Sequence, residues 1–136
     1  MQANTSVVRP SDAIVNQLFG DRRIFVAAVV VASGPAFFAA YDLRAAPLFA
    51  VGLLLWGLLP LAIAYLIFHF RRQYAAWGWI AAVLAHSYFV VANVLQSESS
   101  TAAIDFLWMP VWNIVVVGPV GALIGFLLAR RPSKHP

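Results

Sequence analysis

Apolar residues in this chain do not alternate with polar ones; they run on in four long blocks, about residues 24–41, 47–68, 75–95 and 104–129. A helix rises 1.5 Å per residue, so about 20 residues cross a hydrocarbon core ~30 Å thick. Within a bilayer, backbone groups are satisfied only by helices or by closed barrels. Barrel strands would alternate in polarity; unbroken blocks predict helices. Ahead of the first block, Ile14, Val15, Leu18 and Phe19 share one helical face, with Ser11 and Asp12 as candidate caps and Gly20 as a stop. That pattern predicts a short amphipathic helix over residues 12–19, lying on the membrane surface. It would either lead into the first span or dock a partner. Residues 132–136 read as a disordered tail. The expected fold is all-α, an integral membrane four-helix bundle with a short N-terminal amphipathic surface helix. Residues 1–136 form one membrane domain, in which short loops make consecutive helices antiparallel neighbours.

Composition agrees with a lipid solvent. Hydrophobic residues make up 62% of the chain and charged residues 10%, against about 45–50% and about 25% in soluble domains. A net charge of +4 would suggest nucleic acid in a polar chain. Here the basic residues flank apolar blocks, so the bilayer is the expected partner and nucleic acid is not. Arg9, Arg22, Arg23, Arg71, Arg72, Arg130, Arg131 and Lys134 fall on one side of a four-span arrangement, leaving Arg44 alone on the other. Cytoplasmic loops carry the excess of Lys and Arg, so both termini are expected to be cytoplasmic. With no cysteine in the chain, disulfides, thiolate metal sites and cysteine nucleophiles are excluded. Asp21-Arg22-Arg23-Ile24-Phe25-Val26 loosely matches a twin-arginine export signal. The best cleavage candidate, Ala32-Ser33-Gly34, is followed by Pro35, so this segment is expected to stay as the first span.

Polar residues inside a span are costly and therefore suspect. His86 stands eleven residues beyond Ala75, about 16 Å deep. It could relay protons, hold a metal or haem iron, or hydrogen-bond a neighbouring helix, and the last is the expected role. His69 lies at the cytoplasmic end of the second block, too far in depth to share a haem with His86 within one chain. Ser33, Asn93 and Asn113 complete the candidate polar set, with Asn93 and Asn113 placed to bond across helices. Pro35, Pro60 and Pro119 each interrupt a span near its middle, because proline lacks the N–H and crowds the preceding turn. Gly118, Gly121 and Gly125 offer a close-packing face, the latter two as a small-xxx-small pair facing either the bundle or a second copy. Most tryptophans fall near predicted interfaces as an aromatic belt, with Trp56 deeper. No acidic residue sits inside a span, which argues against a carboxylate-driven antiporter. Hydrolase, metalloprotease and phosphate-loop motifs are lacking too. No catalytic residue, cofactor or metal ligand is expected.

The run Ser99-Ser100-Thr101-Ala102-Ala103-Ile104-Asp105-Phe106-Leu107, with Pro110 after it, resembles a signature of small uncharacterised bacterial polytopic membrane proteins. Asp105 departs from the small or apolar residue of that pattern. The resemblance covers the C-terminal part of the chain and implies a bacterial cytoplasmic membrane; that family has no assigned activity, so no site residues follow. The expected function is a non-enzymatic multi-pass protein acting through protein–protein contacts, with another membrane protein or with itself. It would serve a larger complex or protect against a membrane-active toxin. The alternative is a small oligomeric transporter or channel built on His86 and the proline breaks.

Overall fold

The computed structural model describes residues 10–42, 46–96 and 102–130, all side chains from Ile14 onward except those of Asp42, Ala102 and Ala103. The elements in order are α1 (Pro10–Gly20), α2 (Arg22–Ala32), α3 (Gly34–Asp42), α4 (Pro47–His69), α5 (Gln73–Gln96), α6 (Ala102–Trp112), a π-helix (Asn113–Val117) and α7 (Gly118–Ala129). The fold is all-α, and no strand occurs among the described residues. Four helical stretches are long and apolar enough to cross a membrane: Arg22–Tyr41, Pro47–His69, Gln73–Gln96 and Ile104–Ala129. The expected tail 132–136 and the serine-rich loop lie outside the described residues.

The first span is two helices. Ser33 caps α2, its N–H bonding Val29 O at 3.0 Å and Val30 O at 3.2 Å, and α3 restarts at Gly34 with Pro35 in its first turn. Pro35 has no N–H for the carbonyl one turn back, that of Val31. The Tyr88 hydroxyl from α5 donates to that carbonyl instead, at 3.2 Å. A neighbouring helix thus repairs what the proline breaks. In α4, Pro60 is fully buried, and its own carbonyl accepts the Trp79 indole N–H at 3.0 Å. The Trp56 indole donates to Leu107 O at 3.0 Å, in the turn that Pro110 interrupts. Asn113–Val117 widens to a π turn, with Gly118 N–H reaching Asn113 O. The extra residue relieves the crowding that Pro119 would impose on a regular helix.

Apolar side chains fill the space between spans. Phe25, Leu61, Ala64, Ile80 and Val83 form one buried cluster with Trp79; Ala39, Leu53 and Phe106 form a second. The closest helix pair is α5 with α7. Gly78 faces Gly121 and Gly125 there, so near that a Cβ on any of the three would overlap backbone of the opposing helix. The small-residue pair of the last span is therefore spent inside the bundle, against α5.

Helix α1 begins at Pro10, before its expected Ser11 and Asp12 caps. Phe19 seats it on α5, stacking on Tyr74 at 5.4 Å and meeting the Trp77 ring edge-to-face at 5.6 Å. Phe19 O accepts the Trp77 indole at 2.9 Å, and the Tyr74 hydroxyl donates to Asn16. Ile14, Val15 and Leu18 keep their side chains exposed. At this end of the bundle stand Arg22 and Arg23 of α2, the Arg71-Arg72 turn and Arg130. Arg22 donates to the Tyr65 hydroxyl, while Arg71 takes a left-handed φ of 61° that closes the α4–α5 turn.

Candidate functional site

His86 and Ser87 of α5 meet Asn113 of the last span at one level. His86 Nδ1 lies 2.8 Å from Asn113 Oδ1, and Asn113 Nδ2 donates to Ser87 Oγ at 3.0 Å. Asn113 is 1% exposed and Ser87 3%, so the bond between these two is cut off from solvent. The π turn starts at Asn113 itself. Widened turns of this type often mark functional positions, and here the turn holds the amide against α5. Because the Asn113 amide nitrogen serves Ser87, its oxygen is the atom facing His86. Nδ1 is then a protonated imidazole nitrogen, donating to Asn113 Oδ1. No buried side-chain nitrogen or oxygen among the described residues lacks a partner.

The other sequence candidates go elsewhere. Ser33 Oγ donates to Val30 O of its own helix at 2.6 Å. Asn93 Nδ2 donates to Phe89 O, also within its own helix, at 2.8 Å, so the expected Asn93–Asn113 bond does not form. Asn113 stands level with His86 and Ser87, whereas Asn93 is seven residues further along α5, about 10 Å along the axis. Pro35, Pro60 and Pro119 sit in three different helices, with a Tyr88 hydrogen bond serving the first break and a π turn the last. Gly118 is buried beside the Trp79 indole, where a Cβ would strike the ring and Asn113 O. Ser87, next to His86 in sequence, and Gly78, opposite the Gly121–Gly125 pair, are participants that sequence reading missed.

On one side of the polar cluster α5 and α6 part to leave a cleft of ≈ 270 Å³. From α5 it receives His86, Val90 and Asn93; from α6, Asp105, Trp108, Met109 and Trp112. These are i, i+4, i+7 and i, i+3, i+4, i+7 sets, one face of each helix. By antiparallel order His86 and Trp112 close the inner end, while Asn93 and Asp105 flank the outer end. Among the described residues no group of three or more His, Cys, Asp or Glu side chains could hold a metal ion. A second, larger groove of ≈ 520 Å³ runs on the opposite half of the bundle between α1, α5 and α7. Phe19, Tyr74, Trp77, Ala81, Ile124 and Leu128 line it, and it is almost wholly apolar. Compared with protein-family profiles, with curated proteins and with solved structures, the chain matches none.

Proposed function

We propose that this chain is a non-enzymatic multi-pass membrane protein that acts through protein–protein contacts inside the bilayer, as subunit or accessory of a membrane complex. The carrying observation is the use made of its intramembrane polar groups. His86, Asn113 and Ser87 bond one another, Ser33 and Asn93 bond their own helices, and apolar side chains pack the bundle centre. A permeation path needs several polar groups converging on one route, and these converge on each other. The apolar groove between α1, α5 and α7, walled by Phe19, Tyr74, Trp77, Ile124 and Leu128, offers a partner helix an apolar seat. Protection against a membrane-active toxin would use the same contacts.

Purified protein in liposomes is expected to carry no proton flux above empty vesicles. A photo-crosslinker at Ile124 should give one discrete heavier species in native membranes, while the same group at Val51, on the exposed face of α4, should give none. A robust pH-dependent flux abolished in His86→Leu would contradict this reading and favour a transporter.

The orientation we propose is N-terminus and C-terminus cytoplasmic, in a bacterial cytoplasmic membrane. Arg22, Arg23, Arg71, Arg72 and Arg130 gather at one end of the bundle, and positively charged ends stay inside. Since the chain has no cysteine, single reporters are clean. Gln96→Cys is expected to react with an impermeant maleimide on intact cells and Arg130→Cys only after lysis; the reverse order would invert the topology.

A further inference from the structure

The cleft between α5 and α6 has a chemistry that protein–protein contacts do not use. Its polar groups are His86, Asn93 and the Asp105 carboxylate, with the indole N–H groups of Trp108 and Trp112. Asn93 has committed one amide N–H to Phe89 O, which leaves its Oδ1 acceptor and a second N–H. His86, which also lines the cleft, has committed Nδ1 to Asn113, which leaves Nε2 as its remaining ring nitrogen. Asp105, when ionised, only accepts. No Lys or Arg lines the cleft. Trp108 and Trp112 add two indole rings, about half exposed, and Met109 and Val90 supply apolar wall.

A carboxylate with no basic side chain beside it and two indole faces specify a cation that donates hydrogen bonds. Anions meet no positive charge there, and a purely apolar guest would leave the acceptors without donors. A single metal ion cannot reach both ends: His86 and Asp105 face a cleft spanning seven helical positions, about 10 Å, against metal–ligand bonds near 2 Å.

We propose that this cleft binds an organic ammonium ion. Its charged end sits between Asp105 and Asn93 at the outer mouth, its apolar body lies along Trp108, Trp112 and Met109, and a hydrogen-bond donor at its far end reaches His86 Nε2. A charge-assisted hydrogen bond to Asp105 and attraction to the indole faces hold the ammonium. The Asn113–Ser87 pair holds the imidazole by its Nδ1 edge, so those residues position the ring and do not touch the ligand. The same ammonium chemistry could arrive as a free amine or as the headgroup of phosphatidylethanolamine entering from the outer leaflet.

Isothermal titration of the full chain in nanodiscs distinguishes these cases, with tyramine, phenethylamine and 4-ethylphenol as probes. In phosphatidylglycerol discs tyramine is expected to bind at least tenfold tighter than 4-ethylphenol, which lacks the ammonium. It should also bind roughly fivefold tighter than phenethylamine, the worth of one hydrogen bond. Asp105→Asn should remove the preference over 4-ethylphenol while leaving 4-ethylphenol itself unchanged; Trp112→Leu should weaken both amines. If the occupant is the lipid, adding phosphatidylethanolamine to the discs weakens tyramine binding, and native mass spectrometry shows that lipid retained by wild type and lost in Asp105→Asn. If it is a free amine, phosphatidylethanolamine leaves tyramine affinity unaltered. Equal affinity of wild type for tyramine and 4-ethylphenol would overturn the ammonium site. Equal affinity for tyramine and phenethylamine would overturn the role given to His86.

Discussion

Gly121→Leu is expected to disrupt the bundle more than any lipid-facing change, with a loss of at least about 3 kcal/mol. A Cβ on Gly121 would fall on the Gly78 carbonyl and against the Ala82 methyl. Overpacking a core side chain costs about 1–3 kcal/mol when neighbours can move aside. Here the obstruction is backbone, and relief requires α5 and α7 to separate along their whole contact. Gly125→Leu meets the Tyr74 backbone and should behave alike, as should Gly78→Leu from the other side. Val115→Leu and Leu127→Ile, both on exposed surface, should stay within about 0.5 kcal/mol. Thermal unfolding in detergent, followed by gel filtration, reads all five. If Gly121→Leu and Gly125→Leu melted with the controls, the small-residue face would point at lipid and the helix pairing would be wrong.

The next largest effect is expected from Asn113→Leu. That amide serves two partners at once, His86 and Ser87, and leucine offers neither a donor nor an acceptor. An unmatched buried polar group costs about 1–3 kcal/mol in water-soluble proteins. Membrane hydrogen bonds average nearer 0.6 kcal/mol, so losing both should cost about 1 kcal/mol. His86→Leu removes one bond and should cost less. His86→Gln should be milder still, since its amide keeps a donor and an acceptor. Ser87→Ala should fall between wild type and Asn113→Leu. A ranking in which Asn113→Leu were the mildest of the series would mean the bonded cluster contributes nothing to the fold.

The four spans were legible because a bilayer leaves the backbone so few choices: block length and unbroken apolarity identify helices with little help from tertiary detail. Helix pairing was harder to see. Gly121 and Gly125 advertise a close approach by spacing alone, but its partner Gly78 stands isolated on α5, flanked by Trp77 and Trp79, and no spacing rule singles it out. His86 and Asn113 were each visible as polar residues at depth. Their pairing was recoverable by counting, since they lie equally far in sequence from the Ser99–Ser100 bond at the middle of the connection. Matching depths within the outer halves led instead to Asn93, which antiparallel order sets opposite the Asp105–Phe106 turn. Ser87 escaped notice because a serine on a helix commonly bonds its own preceding turn, as Ser33 does. Trp108 and Trp112 read as interfacial anchors because tryptophans commonly collect there; only the shared face with Asp105 makes them walls of a cleft.

The most direct measurement is nitrogen-15 NMR of the histidine-labelled chain in lipid, with His86 assigned by comparison with His86→Gln. The Asn113 amide, with its nitrogen on Ser87 and its oxygen on the ring, predicts a proton on His86 Nδ1. It further predicts a cross-hydrogen-bond coupling or contact between His86 Nδ1–H and Asn113 that disappears in Asn113→Leu. A His86 protonated at Nε2 with a bare Nδ1 would reverse the amide. A His86 signal indifferent to Asn113→Leu would contradict the account at its centre.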